Sequence, residues 1–98
     1  MKAPIICELT TRYNTRKSFS GKALVLFDHE KNTTILYSYT VPVAARVNYD
    51  IVLLPHWDES RTTISHVREF IRQFDYRYLD TDMTKQQISE TFRHENVE

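Results

Sequence analysis

Between Ile5 and Leu54 the apolar residues fall in short runs of β-branched and aromatic side chains, separated by polar turn residues. This pattern is typical of β-strands. It predicts strands over residues 5–10, 23–27, 34–39, 41–47 and 51–54. Because the chain has a single glycine, we expect Asn32 to take the left-handed conformation in one turn and 48–50 to form another.

Pro42 lies inside the fourth predicted strand. Proline cannot donate to a sheet ladder, so it is confined to edge strands, to the start of a strand or to bulges. We therefore expect this strand to lie at an edge of the sheet, or to begin just after a bulge between Tyr39 and Val43.

From Ser60 onward the apolar period changes from two residues to three or four, which indicates an amphipathic helix. The apolar stripe predicts a helix over about 61–74, with Ser60 as its N-cap and the stripe lying on the sheet. The stripe consists of Ile64, Val67, Phe70, Ile71 and Phe74, and the opposite face of Arg61, Arg68, Glu69 and Arg72. A solvated face is the plainer interpretation of these charges, and a partner-binding surface is the alternative.

A second helix is predicted over about 85–93, opened by a capping box between Thr84 and Gln87. Only Ile88 and Phe92 mark its buried side. The predicted strands come first along the chain and the helices come last. This order favours an α+β fold, with an antiparallel sheet of four to five strands over about 5–54. The 98 residues are sufficient for one domain, of which 79–98 is interpreted as a peripheral C-terminal extension.

Thirteen basic and thirteen acidic side chains cancel, so no overall field would draw the protein to nucleic acid or to a membrane. No apolar run approaches the roughly 20 residues that span a bilayer, and 1–9 lacks the features of a signal peptide. With Cys7 as the only cysteine, an internal disulfide is excluded. We expect a soluble protein in the cytoplasm, monomeric or homodimeric, with no membrane partner.

Residue types that serve in metal binding or catalysis gather at His56, Trp57, Asp58 and His66. None of the familiar metal-ligand spacings occurs among them. Cys7 lies in an apolar run, where a buried and unreactive thiol is expected. The chain also lacks a glycine-rich phosphate loop. The sequence thus predicts no catalytic residue, no metal site, no cofactor and no enzyme activity.

The segment 12–22 carries four basic residues and no acidic residue, together with two aromatic residues. Its candidate binding residues are Arg12, Tyr13, Arg16, Lys17, Phe19 and Lys22. Such a segment can hold phosphates while an aromatic ring stacks on a base, and it would suit an acidic protein surface equally well. A solvated loop whose aromatic residues pack in the core is the third interpretation.

These basic and aromatic residues belong to a pattern that resembles a family of small uncharacterised proteins from phages and mobile elements of Gram-positive bacteria. The resemblance covers about Leu9 to Phe74. It is carried by Thr11-Arg12-Tyr13, Arg16-Lys17-Ser18-Phe19, Gly21-Lys22-Ala23 and Leu36-Tyr37-Ser38-Tyr39, followed by Trp57, Ser60, Thr62-Thr63, His66 and Glu69-Phe70. The resemblance implies no known activity. It implies only a context, in which many small accessory proteins bind and disable host defence machines.

From that context we expect an inhibitor of a host nucleic-acid-processing defence complex, of the anti-CRISPR type, for example an inhibitor of Cas9. Its partner would be a protein or ribonucleoprotein complex in the cytoplasm of the bacterial host cell, bound through the helix arginines, the aromatic residues or the acidic segment 79–98. The alternative is a small accessory protein that binds DNA or RNA directly through the segment 12–22.

Overall fold

The computed structural model describes residues 5–9, 22–79 and 81–95. Six strands within these residues form one sheet, whose spatial order follows the chain order. The first five pair antiparallel and the sixth pairs parallel to the fifth, which confirms the predicted α+β class and adds a strand. The elements are β1 (Ile5–Glu8), β2 (Ala23–Asp28), β3 (Thr33–Ser38), β4 (Val41–Val47), β5 (Asp50–Leu53), α1 (Arg61–Phe74), α2 (Lys85–Thr91) and β6 (Arg93–His94).

The hydrophobic core lies between one face of this sheet and α1. Val25, Leu36, Ala44 and Leu53 stand side by side in the strand register, and each is at most 1% exposed. Phe70 of α1 is fully buried and belongs to the same cluster. Because alternate residues of a strand point to opposite faces, this register fixes which side chains face the helix.

Residues other than glycine make the tight turns in the described part of the chain. Asn32 and Asn48 have φ values of 49° and 57°, which confirms the left-handed conformation predicted for Asn32. Tyr39 and Thr40 also have positive φ values and form the two-residue connection from β3 to β4. Positive φ at both positions matches the twist that a two-residue hairpin requires.

Pro42 does not place its strand at an edge of the sheet, because β4 lies between β3 and β5. The register of β3 against β4 shifts between Leu36 and Tyr37, so that Val43 is the extra residue of a bulge. The alternative prediction of a bulge near Val43 is thus the closer one. β5 pairs only with residues 44–47, and at Pro42 the strand therefore has a neighbour on one side only.

The predicted bounds of α1 and its N-cap are confirmed, since the Ser60 side chain accepts a hydrogen bond from the Thr63 backbone N–H at 3.1 Å. Two residues of α1 were assigned to the wrong side of the helix. Ile64 is only half-buried, while Glu69, assigned to the solvent face, is 3% exposed. The sheet-facing side of α1 is instead broadened by polar residues, with His66 fully buried.

The second helix has the predicted capping box, with the Thr84 hydroxyl and the Gln87 side chain each bonded to the other's backbone N–H. It ends at Thr91, two residues before the predicted end, because residues 93–94 leave the helix and pair with β5. Met83, Ile88 and Phe92 lie in the core cluster. Residues 83–92 therefore contribute to the same core as the sheet and α1.

No helix in the described ranges is long and apolar enough to cross a membrane.

Candidate functional site: a cationic groove on the first helix

The basic segment 12–22 meets the described structure only at its end. Arg12, Tyr13, Arg16, Lys17 and Phe19 lie outside the described residues. On one side of the segment, the Leu9 N–H donates to the Ala23 carbonyl at 2.8 Å. On the other side, the carbonyl of the exposed Lys22 accepts a hydrogen bond from the Tyr39 N–H at 2.9 Å. The segment therefore leaves and rejoins the sheet at one end of β2.

This end of the sheet is also where α1 begins. The Tyr39 ring centroid lies 5.9 Å from that of His66, in the second turn of the helix. The Lys22 ammonium in turn lies 5.9 Å from the Tyr39 ring centroid. The fold thus brings the attachment points of the basic segment to the same end of the molecule as Arg61, the first residue of α1.

The three arginines predicted on the outer face of α1 have different environments. Arg61 is exposed. The Arg68 Nε donates to the Met83 carbonyl at 2.7 Å, and Arg68 and Arg72 each lie 3.7 Å from the same Asp82 carboxylate oxygen. Arg68 and Arg72 therefore fasten residues 82–83 to the helix, while Arg61 remains directed to solvent.

A shallow groove of about 230 Å³ lies between the exposed side of α1 and the start of α2. We call it the cationic groove, and it is lined by Arg61, Ile64, Ser65, Arg68 and Lys85. Lys85 is 3.7 Å from the Asp58 carboxylate at its rim, and both side chains are about half exposed. The groove is smaller than the roughly 300–1,000 Å³ of small-molecule pockets, and its size and charge suit one anionic group of a larger partner.

Lys85 was not predicted as part of this surface, because it lies 17 positions beyond Arg68 in the sequence. Only the docking of residues 82–83 onto α1 brings it beside the helix. A signal was nevertheless present, since the capping box at Thr84 predicts that Lys85 is the first residue of a helix.

A second group of polar residues lies between the sheet and α1. The Ser38 hydroxyl is 2.8 Å from His66 Nδ1 and 3.5 Å from the Thr63 hydroxyl, which is itself 3.0 Å from that of Ser60. Ser38 is 3% exposed and His66 is fully buried. This burial favours a structural role for the pair, which ties the start of α1 to the end of β3.

The residues around the strand-to-helix junction do not converge on one point. His56 is exposed and lies 3.5 Å from the Glu59 carboxylate. Trp57 is buried in the core, with its ring at 6.0 Å from that of His94. Within the described ranges, no three histidine, cysteine or acidic side chains are arranged to hold a metal ion.

Cys7 is exposed, so the prediction of a buried thiol is wrong. The physical reason is its place in β1, the first strand of the sheet, while α1 packs across β3 and β4. An apolar run at the edge of a sheet extends beyond the cover that the helix provides.

The aromatic residues divide between core and surface. Trp57 is buried, and Tyr78 packs with its ring 5.4 Å from that of Phe92. Tyr49 and Tyr76 are 71% and 76% exposed. Tyr76 belongs to a short 3-10 turn in which the Asp75 carboxylate pairs with Arg77 at 2.9 Å, a hydrogen bond that raises the pKa of Arg77 above its ordinary value.

Together the mostly antiparallel six-stranded sheet, the core helix and the capped C-terminal helix define a compact α+β protein with a cationic groove on its surface. The chain belongs to DUF8033, a family of unknown function, which it matches over residues 7–90. The matched range includes the second half of β1, all of β2 to β5 and α1, and most of α2. Comparisons with curated proteins and with solved structures found no match.

Proposed function

We propose that this protein acts by binding, without turnover, and that it inhibits a host nucleic-acid-processing defence complex of the anti-CRISPR type. The observation that carries the binding proposal is the cationic groove, in which Arg61, Arg68 and Lys85 surround the aliphatic side chain of Ile64. The defence context rests on the resemblance to proteins of phages and mobile elements.

The arrangement of charge supports an acidic partner. Arg61 is exposed at the end of the molecule where the basic segment 12–22 is attached, and no ion pair joins it to another described residue. Charges of one sign gathered at one end speed the encounter with an oppositely charged surface and fix its orientation. We expect the partner surface to carry phosphates or acidic side chains.

Charge reversal at Arg61 tests this role with little risk to the fold. An acidic residue in the first turn of a helix interacts favourably with the helix dipole, so Arg61→Glu should fold as well as the wild type. Lys31→Glu is the matched control, because Lys31 is exposed in the turn before β3, at the other end of β2 from Lys22. Both substitutions change the net charge equally.

The assay measures DNA cleavage by purified Cas9 and guide RNA complexes from several Gram-positive hosts, with and without the protein. We expect the wild type and Lys31→Glu to inhibit at least one complex, and Arg61→Glu to need about tenfold more protein for the same inhibition, as the loss of one interfacial charge pair predicts. Equal inhibition by all three proteins would contradict the role of the groove. An absence of inhibition and of binding in every complex would contradict the anti-CRISPR assignment.

Direct binding to DNA or RNA is the second candidate, and the attachment of the basic segment beside α1 favours it. Reversing charge at Arg16 and Lys17 should then abolish oligonucleotide binding. The measurement is an anisotropy titration at several salt concentrations, because phosphate contacts make affinity fall steeply with salt. Undetectable binding at low salt would eliminate this candidate.

A further inference from the structure

Arg46 is a charged residue on the side of the sheet that carries α1. It lies in β4 two positions beyond Ala44, whose fully buried side chain belongs to the core. Because alternate residues of a strand point to the same face, the Arg46 side chain is directed to that side as well. Its neighbours in the strand register, Thr34 and Ile51, are buried, and Arg46 itself is partly buried. A guanidinium group therefore lies among core residues near the middle of the sheet.

The charge of Arg46 has no acidic partner in the part of the chain that the structure describes. No ion pair or side-chain hydrogen bond joins its guanidinium to another described residue. Its Cζ atom instead lies 5.3 Å from the centroid of the Tyr49 ring. This cation–π contact holds the group in place and leaves its N–H donors available. A partly buried charge without a partner is costly, so an anion from outside would be stabilised beside it.

Arg46 lines a pocket of about 200 Å³ at the end of α1, which we call the Arg46 pocket. One side of this pocket is aromatic. The ring centroids of Phe27 and Phe74 lie 5.8 Å apart, and the Phe27 ring also stacks on that of His29 at 6.5 Å. The rest of the lining comes from Thr34 and from the turn between β2 and β3. The pocket thus combines an apolar aromatic side with one guanidinium group.

Asp28 is the one acidic residue among those that line the Arg46 pocket, and its carboxylate is engaged in the turn. Asp28 Oδ1 accepts a hydrogen bond from the Lys31 backbone N–H at 3.3 Å. Phe27 points to the side of α1, so strand alternation directs the Asp28 side chain to the opposite face. The charge that a ligand in the pocket meets is therefore that of Arg46.

We propose that the Arg46 pocket binds a small carboxylate whose apolar body is about the size of one ring. A guanidinium pairs with a carboxylate through two parallel hydrogen bonds, while Phe27 and Phe74 contact the apolar body. The pocket is smaller than the roughly 300–1,000 Å³ of sites for drug-sized ligands, which limits the ligand to this size. The proposal is independent of the proposed function, because the cationic groove is lined by the first half of α1 and by Lys85, whereas this pocket lies at the last residue of α1.

A single cation favours a carboxylate over a phosphate group. A phosphate monoester carries a charge of about −1.5 to −2 near pH 7, whereas a carboxylate carries one negative charge. One guanidinium would leave part of the phosphate charge uncompensated in a pocket with an apolar side. Inorganic phosphate also has no apolar body to contact the two phenylalanine rings.

Benzoate is the probe that tests this ligand class, with binding followed by the amide NMR signals of the full chain. We expect saturable shifts at residues 27–29, 33–34, 46 and 74, with a Kd of about 1 mM for so small a ligand. Benzyl alcohol lacks the carboxylate and inorganic phosphate lacks the ring, so each should bind about tenfold more weakly or less well still. The absence of saturable shifts with benzoate would overturn the proposal. Equal binding of benzyl alcohol or of phosphate would overturn it too, because the site would then be purely apolar or a general anion site.

Arg46→Gln tests the role of the guanidinium and should weaken benzoate binding by about tenfold or more. Arg61→Gln, in the cationic groove, is the matched control with the same change of charge, and it should bind benzoate as the wild type does. Because Arg46 pairs with no described carboxylate, its removal leaves none of them without a partner, and unshifted amide signals far from the pocket confirm the fold. Unchanged affinity in Arg46→Gln, or an equal loss in Arg61→Gln, would overturn the proposal.

Phe74→Leu tests the aromatic side while Arg46 stays in place. Leucine keeps an apolar side chain at this partly buried position, so the fold should tolerate the change. We expect the affinity for benzoate to fall by about threefold or more through the lost ring contact, and the weak binding of phosphate to stay the same. Benzoate binding that Phe74→Leu leaves unchanged would overturn the assignment of this pocket.

Discussion

At the scale of single residues, the pairing of Ser38 with His66 is the contact that best explains how the helix is placed on the sheet. Both side chains are buried, and a buried polar group without a hydrogen bond is costly. The contact therefore favours the one position of α1 in which the serine at the end of β3 meets the histidine in its second turn.

Ser38→Ala removes this hydroxyl and leaves His66 Nδ1 without its serine partner. We expect the free energy of unfolding to fall by about 1–3 kcal/mol, the cost of an unsatisfied buried polar group. Urea denaturation measures this change in the free energy of unfolding. Ser89→Ala is the matched control on α2, where the serine is less buried, and it should change the free energy by less than about 0.5 kcal/mol. Equal losses for the two variants would contradict the role given to the pair.

At the scale of elements, the structure agrees with the prediction where the sequence pattern is regular. It differs at a few positions where the pattern is absent or misleading. The five antiparallel strands, the bounds of α1 and both helix caps follow from periodicity and capping residues that act over a few positions. The sixth strand was missed because residues 93–94 carry no strand pattern and pair with β5 across some 40 positions. Glu69 was misplaced because its charge indicated solvent, whereas the helix is buried over a wider arc.

The second helix contributes directly to the core, which gives a test of its importance. Ile88 is fully buried, so Ile88→Ala should lower the free energy of unfolding of the whole protein by about 2–5 kcal/mol through lost burial and a residual cavity. Gln86→Ala, on the exposed side of the same helix, should have little effect. Calorimetry should show one transition that moves with Ile88→Ala. If the Ile88→Ala variant unfolded at the wild-type temperature, this result would contradict the core role of α2 and indicate that 79–98 is a peripheral extension.

At the scale of the whole molecule, zero net charge conceals a local concentration of positive charge. Arg61 and Lys85 line one groove, and the basic segment 12–22 is attached at the end of the sheet where α1 begins. In the sequence, Arg61 and the segment 12–22 are separate candidates. Their relative placement depends on the hairpin at Tyr39 and on the packing of Tyr39 against His66, which local patterns do not reveal.

The central claim, that the protein acts by binding a host protein complex through this cationic end, is tested most directly by affinity capture from a Gram-positive host extract. The immobilised wild-type chain and the Arg61→Glu and Lys31→Glu variants are compared, each with and without prior digestion of nucleic acid. We predict that wild type and Lys31→Glu retain the same protein complex after digestion and that Arg61→Glu loses most of it. Capture that disappears on digestion, or that Arg61→Glu leaves unchanged, would contradict the claim.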